Sequence, residues 1–230
     1  MNLKDFSVLT FDCYGTMIDW ESGIFSALRP ILKAHNQKIS DVALLETYAD
    51  LELAAEQGEY SKYWDVLESV VRGCGQRLGF KPTEAEVRSL PESVKTWQPF
   101  PDTVAALQKL KARYQLAVIS NIDDDLFALT APKLKLHFDY VITAEQARCY
   151  KPCTKIFHMA QERTGVSPGK WLHVGQSIYH HVIPAKSLGI ATVWVNRPSP
   201  RAGAGATKAA SGKPDLEVSS LAALAALTER

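Results

Sequence analysis

Short apolar runs alternate along this chain with longer segments of helical spacing. Five runs, Ser7–Phe11, Leu116–Ile119, Tyr140–Thr143, Trp171–Val174 and Ala191–Val195, are apolar, β-branched and almost free of charge. Such runs are the pattern of strands covered on both faces. After the second strand-like run the alternation is regular, with helical patterns over Asp123–Lys133, Thr154–Gly165 and Ile178–Leu188, and a further one over Asp102–Arg113 just before it. Strand alternating with helix predicts an α/β protein with a doubly wound parallel sheet. Right-handed crossovers then bring every strand's C-terminal end to one edge. From Trp20 to Trp97 the rhythm changes to four consecutive amphipathic segments, Ser22–Ala34, Asp41–Gln57, Tyr60–Leu78 and Thr83–Glu92. This block predicts an inserted all-helical cap domain, residues 19–98, on a core domain of residues 1–18 and 99–230. The hinges fall at Met17–Trp20 and Gln98–Pro101, where Pro99 and Pro101 end the helical pattern. A Gly-, Ala-, Ser- and Pro-rich segment, Ser199–Lys213, reads as a mobile loop, and Leu216–Leu227 as a short closing element and helix.

Composition narrows the function class. The 230 residues carry 26 Lys and Arg against 25 Asp and Glu, a net charge of +1. That balance offers no electrostatic footprint for nucleic acid or an anionic membrane. Cys13, Cys74, Cys149 and Cys153 form no CxxC pair, which fits free thiols in a reducing compartment. With no basic stretch leading into a hydrophobic core at the N-terminus and no bilayer-length apolar run, a cytoplasmic protein with no membrane partner is expected.

The chemistry lies at the strand ends. The first strand ends in Asp12, with Thr16 just past the Gly15 turn; the second ends in Ser120-Asn121; the third leads to Tyr150-Lys151-Pro152; the fourth ends in Gly175-Gln176-Ser177, followed by His180 and His181. Taken singly, Asp12 also fits a helix N-cap, Ser120-Asn121 a strand-to-helix cap, and Lys151 a solvated loop residue. Their arrival at one sheet edge from distant parts of the chain points instead to a site. There Asp12 serves as a nucleophile that forms a covalent ester, Lys151 holds it ionised and oriented, and Thr16, Ser120 and Asn121 supply hydrogen bonds. Adjacent histidines on a helix point in different directions, so His180 and His181 are each open to a surface or a functional reading.

This ordered set, FDCYGT at the first strand, a helical insertion, ISN, YKP and then HVGQSIYHHVIPAKSLGIATVWVNR, resembles the haloacid dehalogenase superfamily, and within it the type II (L-2-haloacid) dehalogenases. Phosphatases of that superfamily carry acids where this chain has Tyr14, Gln176 and His181. Magnesium prefers hard oxygen ligands, so the resemblance implies an enzyme without metal or cofactor that displaces a group from carbon. The implied substrate is a small 2-substituted carboxylate, by default a 2-haloacid: Asp12 attacks C2, and water hydrolyses the resulting ester. Ser120 and the backbone amides beside Cys13 and Tyr14 would hold the substrate carboxylate, Asn121 would face the leaving group, and Trp20 and Tyr63 would help wall the pocket. Relatives are commonly homodimers, and a homodimer is expected here.

The resemblance has three departures. The dehalogenases' cap arginine has no counterpart in LLETYADLELAAEQGEYSKYW, which offers Glu46, Asp50, Glu52 and Glu56, acids whose default place is a solvated helix face. The water-activating aspartate corresponds to His181, a competent general base near neutral pH, with His180 as its rival. The aromatic hydroxyl that follows YKP is replaced by Phe157. An acidic cap in place of an anion-binding arginine suits an amine leaving group, as in L-azetidine-2-carboxylate hydrolase, a related branch; that is the alternative, with a phosphatase further behind.

Overall fold

The computed structural model describes residues 1–199 and 205–229. Six strands, β1 (Val8–Phe11), β2 (Gln115–Ser120), β3 (Tyr140–Thr143), β4 (Trp171–Gly175), β5 (Ala191–Val195) and β6 (Leu216–Val218), form one sheet in the order β3-β2-β1-β4-β5-β6. Every pairing is parallel. β6 is the closing element expected near Leu216. β1 lies at the centre, with Phe11 level with Val118 of β2 on one side and Val174 of β4 on the other. The strand order reverses at this point, so the crevice where α/β sheets bind ligands opens directly beyond Phe11.

The sheet is covered on both faces, which explains its apolar strands. Leu9, Phe11, Leu116, Val118, Leu172 and Val174 face one apolar cluster, and Val8, Ala117, Ile119, Phe157 and Trp171 face another. Thr10 and His173 are fully buried polar residues within central strands. The core helices are α5 (Thr103–Lys111), α6 (Asp124–Thr130), α7 (Ala144–Ala147), α8 (Lys155–Thr164), α9 (Ile183–Ser187) and α10 (Leu221–Thr228), numbered after the four in the insertion.

Between β1 and β2 stand only helices: α1 (Trp20–Ala34), α2 (Asp41–Ala55), α3 (Tyr63–Leu78) and α4 (Glu84–Ser93), with a short 3-10 turn after α4. Local chemistry explains their limits. Asp19 accepts from Ser22 N at 3.2 Å to cap α1, and Ser40 accepts from Ala43 N at 3.2 Å to cap α2. Thr83 and Glu86 form a reciprocal capping box on α4, and Gly79 closes α3 with φ 76°. The residue before α3, Lys62, gives no side-chain cap. Its place is taken across the chain by Asp123, whose carboxylate accepts from Tyr63 N and Trp64 N at 2.9 Å each and from Tyr60 OH at 3.0 Å.

Three expectations are modified. The helix expected over Asp123–Lys133 ends at Thr130 and tightens to a 3-10 turn, Ala131–Leu134, that contains Pro132. The helix expected over Ile178–Leu188 opens with a π-helical turn, Ile178–Val182, before α9. The loop expected over Ser199–Lys213 falls partly outside the described residues. Its later part is anchored: Ala206 is buried and its amide donates to Glu21 Oε1 at 3.0 Å. Among the described residues no helix is long and apolar enough to cross a membrane.

Candidate active site

Asp12 is the first residue beyond β1, and its amide donates to Val174 O at 2.9 Å, which ties the turn to β4. Its side chain is buried, held by two hydrogen bonds and faced by a third group. Oδ1 accepts from Lys151 Nζ at 3.0 Å, Oδ2 accepts from Thr16 Oγ1 at 2.9 Å, and His181 Nε2 stands 3.4 Å from Oδ1. Thr16 in turn accepts from Gln176 N at 2.9 Å, so its hydroxyl proton points to the carboxylate. Arg197 fixes the same turn from outside, donating twice to Thr16 O while pairing with Asp102 at 2.9 Å.

Lys151 reaches Asp12 from the loop after α7. It is almost wholly buried, and its ammonium also donates to Ile119 O at 2.7 Å. Burial pulls its pKa below the ordinary lysine range, opposed by the attraction of Asp12. Asn121 anchors the lysine's backbone: its Oδ1 accepts from Lys151 N at 2.7 Å, and its Nδ2 donates to Lys151 O and to Glu56 Oε1 at 3.3 Å each. The Ser120 hydroxyl is buried and has no partner among the described residues. An unsatisfied buried hydroxyl calls for an explanation, and this one borders a cavity.

That cavity, about 40 Å³, is walled by Asp12, Tyr14, Trp20, Tyr63, Ser120, Asn121, Lys151 and His181, all expected from the sequence. Two expected residues are absent from the wall: Thr16, which acts on Asp12 from behind it, and Cys13. The Cys13 side chain is fully buried away from the cavity wall, so only its backbone can serve a ligand. Tyr14 OH pairs with Thr130 Oγ1 at 2.8 Å, and its ring meets Trp97 edge-on. Trp20 packs edge-on against Tyr48.

The wall also holds Glu52 and Glu56, which corrects the solvated-face expectation for two of the four cap acids. Tyr48, Glu52 and Glu56 lie four residues apart on one face of α2 and its end, whereas Glu46 and Asp50 are exposed. Glu52 Oε1 accepts from Tyr48 OH at 3.0 Å and from Tyr63 OH. Burial pushes the Glu52 carboxyl up to about 7 and raises that of Glu56 as well. The i, i+4, i+8 spacing was the available sign, obscured because α2 is apolar around much of its circumference.

Both histidines reach the cavity. The π turn accounts for this, since a wider turn sets successive side chains at a smaller angle than an α-helix does. Gly175 leaves room for His181: a Cβ there would lie 2.4 Å from His181 Cγ. His181 Nδ1 meets His173 Nε2 at 2.9 Å, and His173 packs edge-on against Phe157. His180 Nδ1 lies 3.2 Å from Ser177 Oγ, and its Nε2 is buried without a partner among the described residues. Burial lowers all three imidazoles, His180 to about 3, and so keeps them neutral.

The donor set does not suit magnesium. Asp12 gives one oxygen to an ammonium and the other to a hydroxyl, Tyr14 is bound to Thr130, and the neighbouring positions are an amide and an imidazole. Among the described residues no cluster of three or more His, Cys, Asp or Glu side chains is arranged to hold a metal ion.

Comparisons with known proteins agree with this architecture. The haloacetate dehalogenase H-2 of Moraxella sp. is 25% identical over 201 residues, covering 85% of this chain and 88% of its own. The (S)-2-haloacid dehalogenase of Xanthobacter autotrophicus is 29% identical over 196 residues, 84% of this chain and 76% of its own. Among solved structures, a defluorinating L-2-haloacid dehalogenase superposes with a TM-score of 0.82 at 21% identity, covering 98% of this chain and 96% of its own. A hydrolase of Bacillus subtilis bound to magnesium superposes with a TM-score of 0.79 at 17% identity over 98% of this chain and 99% of its own, so the fold alone does not choose between metal-dependent and metal-free chemistry. The haloacid dehalogenase-like hydrolase profile matches residues 6–189, and the chain belongs to that family.

Proposed function

We propose that this hydrolase acts on small 2-substituted carboxylates through an ester on Asp12, without metal, with 2-haloacids of the S series as the substrate class. One observation carries the reading: a buried carboxylate whose two oxygens are held by Lys151 and Thr16 faces a cavity with a serine hydroxyl that has no partner among the described residues. The ammonium pairs with Asp12, and the two hydrogen bonds fix its direction of attack. In the first step an Asp12 oxygen bonds to C2 while the bond to the leaving group breaks, and that group departs with the electron pair. In the second, water adds to the Asp12 carbonyl carbon, the ester C–O bond breaks, and the 2-hydroxy acid leaves. Ser120 and the turn amides receive the substrate carboxylate. Names among the relatives, haloacetate and (S)-2-haloacid dehalogenases, support the substrate class.

A second reading draws on Glu52 and Glu56. A halide leaves as an anion, whereas a ring amine enters as a cation, already protonated near neutral pH, and leaves from carbon as the neutral amine with the electron pair. Two buried carboxyls in the wall are suited to face that cation, which in turn favours their charged form. Among the described wall residues Lys151 is the one cation, so no arginine awaits a halide. This favours a ring amine such as azetidine-2-carboxylate, opened to 4-amino-2-hydroxybutanoate. The test is direct: halide release from (S)-2-chloropropionate in the presence of chelator supports the first reading, and ring opening that is lost in Asp12→Asn supports the second. A folded protein that turns over neither, yet releases phosphate from a generic ester with magnesium, overturns both.

A further inference from the structure

A line of buried polar contacts runs through the sheet to the nucleophile. Trp171 Nε1 donates to Thr10 Oγ1 at 2.7 Å, and Thr10 Oγ1 lies 2.8 Å from His173 Nδ1. His173 Nε2 lies 2.9 Å from His181 Nδ1, and His181 Nε2 faces Asp12 Oδ1 at 3.4 Å, a close electrostatic contact longer than the hydrogen bonds of the rest of the line. Trp171, Thr10, His173, His181 and Asp12 are all buried. The interior links accept a proton in either direction, but the ends do not. An indole N–H only donates, and a carboxylate only accepts.

Those two ends select one direction. Thr10 accepts from Trp171 and donates to His173 Nδ1. The proton of His173 therefore sits on Nε2 and is donated to His181 Nδ1, and the proton of His181 sits on Nε2, toward Asp12. In the reverse direction Thr10 Oγ1 accepts from both Trp171 and His173, and its own proton has no acceptor among its described contacts. A lone pair of His181 would also face the carboxylate. Buried donors without partners are rare in folded proteins, so both ends disfavour that arrangement.

We infer that this Trp171–Thr10–His173 relay fixes His181 as a neutral Nε2–H donor toward Asp12, making it a positioning residue for the nucleophile and not the base that takes the proton of the hydrolytic water. The inference rests on the reading of Asp12 as nucleophile for its functional meaning, but the state of the rings is independent of any substrate. It also gives Thr10, His173 and Trp171 a task that a simple apolar strand would not need. The imidazole left uncommitted at the cavity is His180, whose Nε2 has no partner among the described residues.

The test is long-range 1H–15N correlation spectroscopy of the full chain labelled with 15N-histidine near pH 7.5, with His181→Gln and His173→Gln used for assignment. Both rings are expected in the neutral Nε2–H form. A charged ring, or an Nδ1–H form at either position, overturns the proposal, and since no turnover is needed this outcome is distinct from failure of the functional reading. In Thr10→Val the fixed tautomer of His173 is lost, whereas Thr10→Ser retains it. Kinetics on the substrate that is turned over supply a second readout. The amide of His181→Gln donates where the imidazole does but takes no proton from water, so its kcat exceeds that of His181→Leu by about tenfold or more at similar KM. Equal loss in the two variants contradicts the donor role.

Discussion

Glu52→Gln tests whether the acidic wall of the cavity is neutral when the site is at work. The glutamate is buried, its Oε1 is bound by Tyr48 and Tyr63, and its carboxyl is raised from 4.5 to about 7, chiefly by burial. In the unfolded chain the carboxyl returns to its ordinary range. Between those two values the folded protein binds more protons than the unfolded one, so the glutamate lowers stability as pH rises through the window. At roughly 1.4 kcal/mol per pH unit the loss amounts to about 3 kcal/mol across it. Glutamine keeps an acceptor for the tyrosines and cannot ionise. Urea unfolding of both proteins from pH 4.5 to pH 7.5 measures the difference and cancels groups they share. Relative to Glu52→Gln, the natural chain loses about 3 kcal/mol between the ends of that range. A difference that stays flat with pH refutes the reasoning. In the same experiment series, KM for an anionic haloacid rises above pH 7 in the natural chain, because an ionised Glu52 repels the substrate carboxylate, and stays level in Glu52→Gln.

Gly175→Ala places a methyl group 2.4 Å from His181 Cγ; a loss of about 1–3 kcal/mol in urea unfolding is expected, with kcat reduced, and unchanged stability would show that the ring moves aside freely. Asp123→Ala strands the Tyr63 and Trp64 amides at the start of α3; stability falls by about 2 kcal/mol or more and KM rises as Tyr63 shifts, whereas a loss confined to stability would separate this contact from the site. Lys151→Met leaves Asp12 without its cation; kcat falls by about 100-fold or more in a protein that circular dichroism shows to be folded, and retained activity would remove the lysine from the mechanism.

Much of the fold and site was legible because its signals are local. Doubly covered strands show as uninterrupted apolar runs, and residues at their ends are forced to one edge by the chirality of the crossovers. Asp12, Thr16, Ser120, Asn121 and Lys151 therefore stand out in the sequence itself, and they converge. The less legible features depend on which way a side chain turns. Glu52 and Glu56 differ from Glu46 and Asp50 only in helical phase, and an acid on a cap helix is ordinarily solvated. Thr10 and His173 passed as members of apolar strands, although a hydroxyl and an imidazole buried at the sheet centre require partners. Asp123 caps a helix sixty residues away in the chain, a pairing that no local window contains. The π turn that brings His180 and His181 together cannot be told from an α-helix by apolar spacing.

The central claim is that Asp12 is alkylated and then regenerated by attack on its own carbonyl carbon. Single turnover in water enriched in 18O, with enzyme in excess over (S)-2-chloropropionate or azetidine-2-carboxylate, followed by mass spectrometry of the Asp12 peptide, measures this directly. One labelled oxygen is expected in Asp12, with an unlabelled 2-hydroxy acid. Unlabelled Asp12 with label in the product would contradict it, because water would then have attacked the substrate without an ester intermediate.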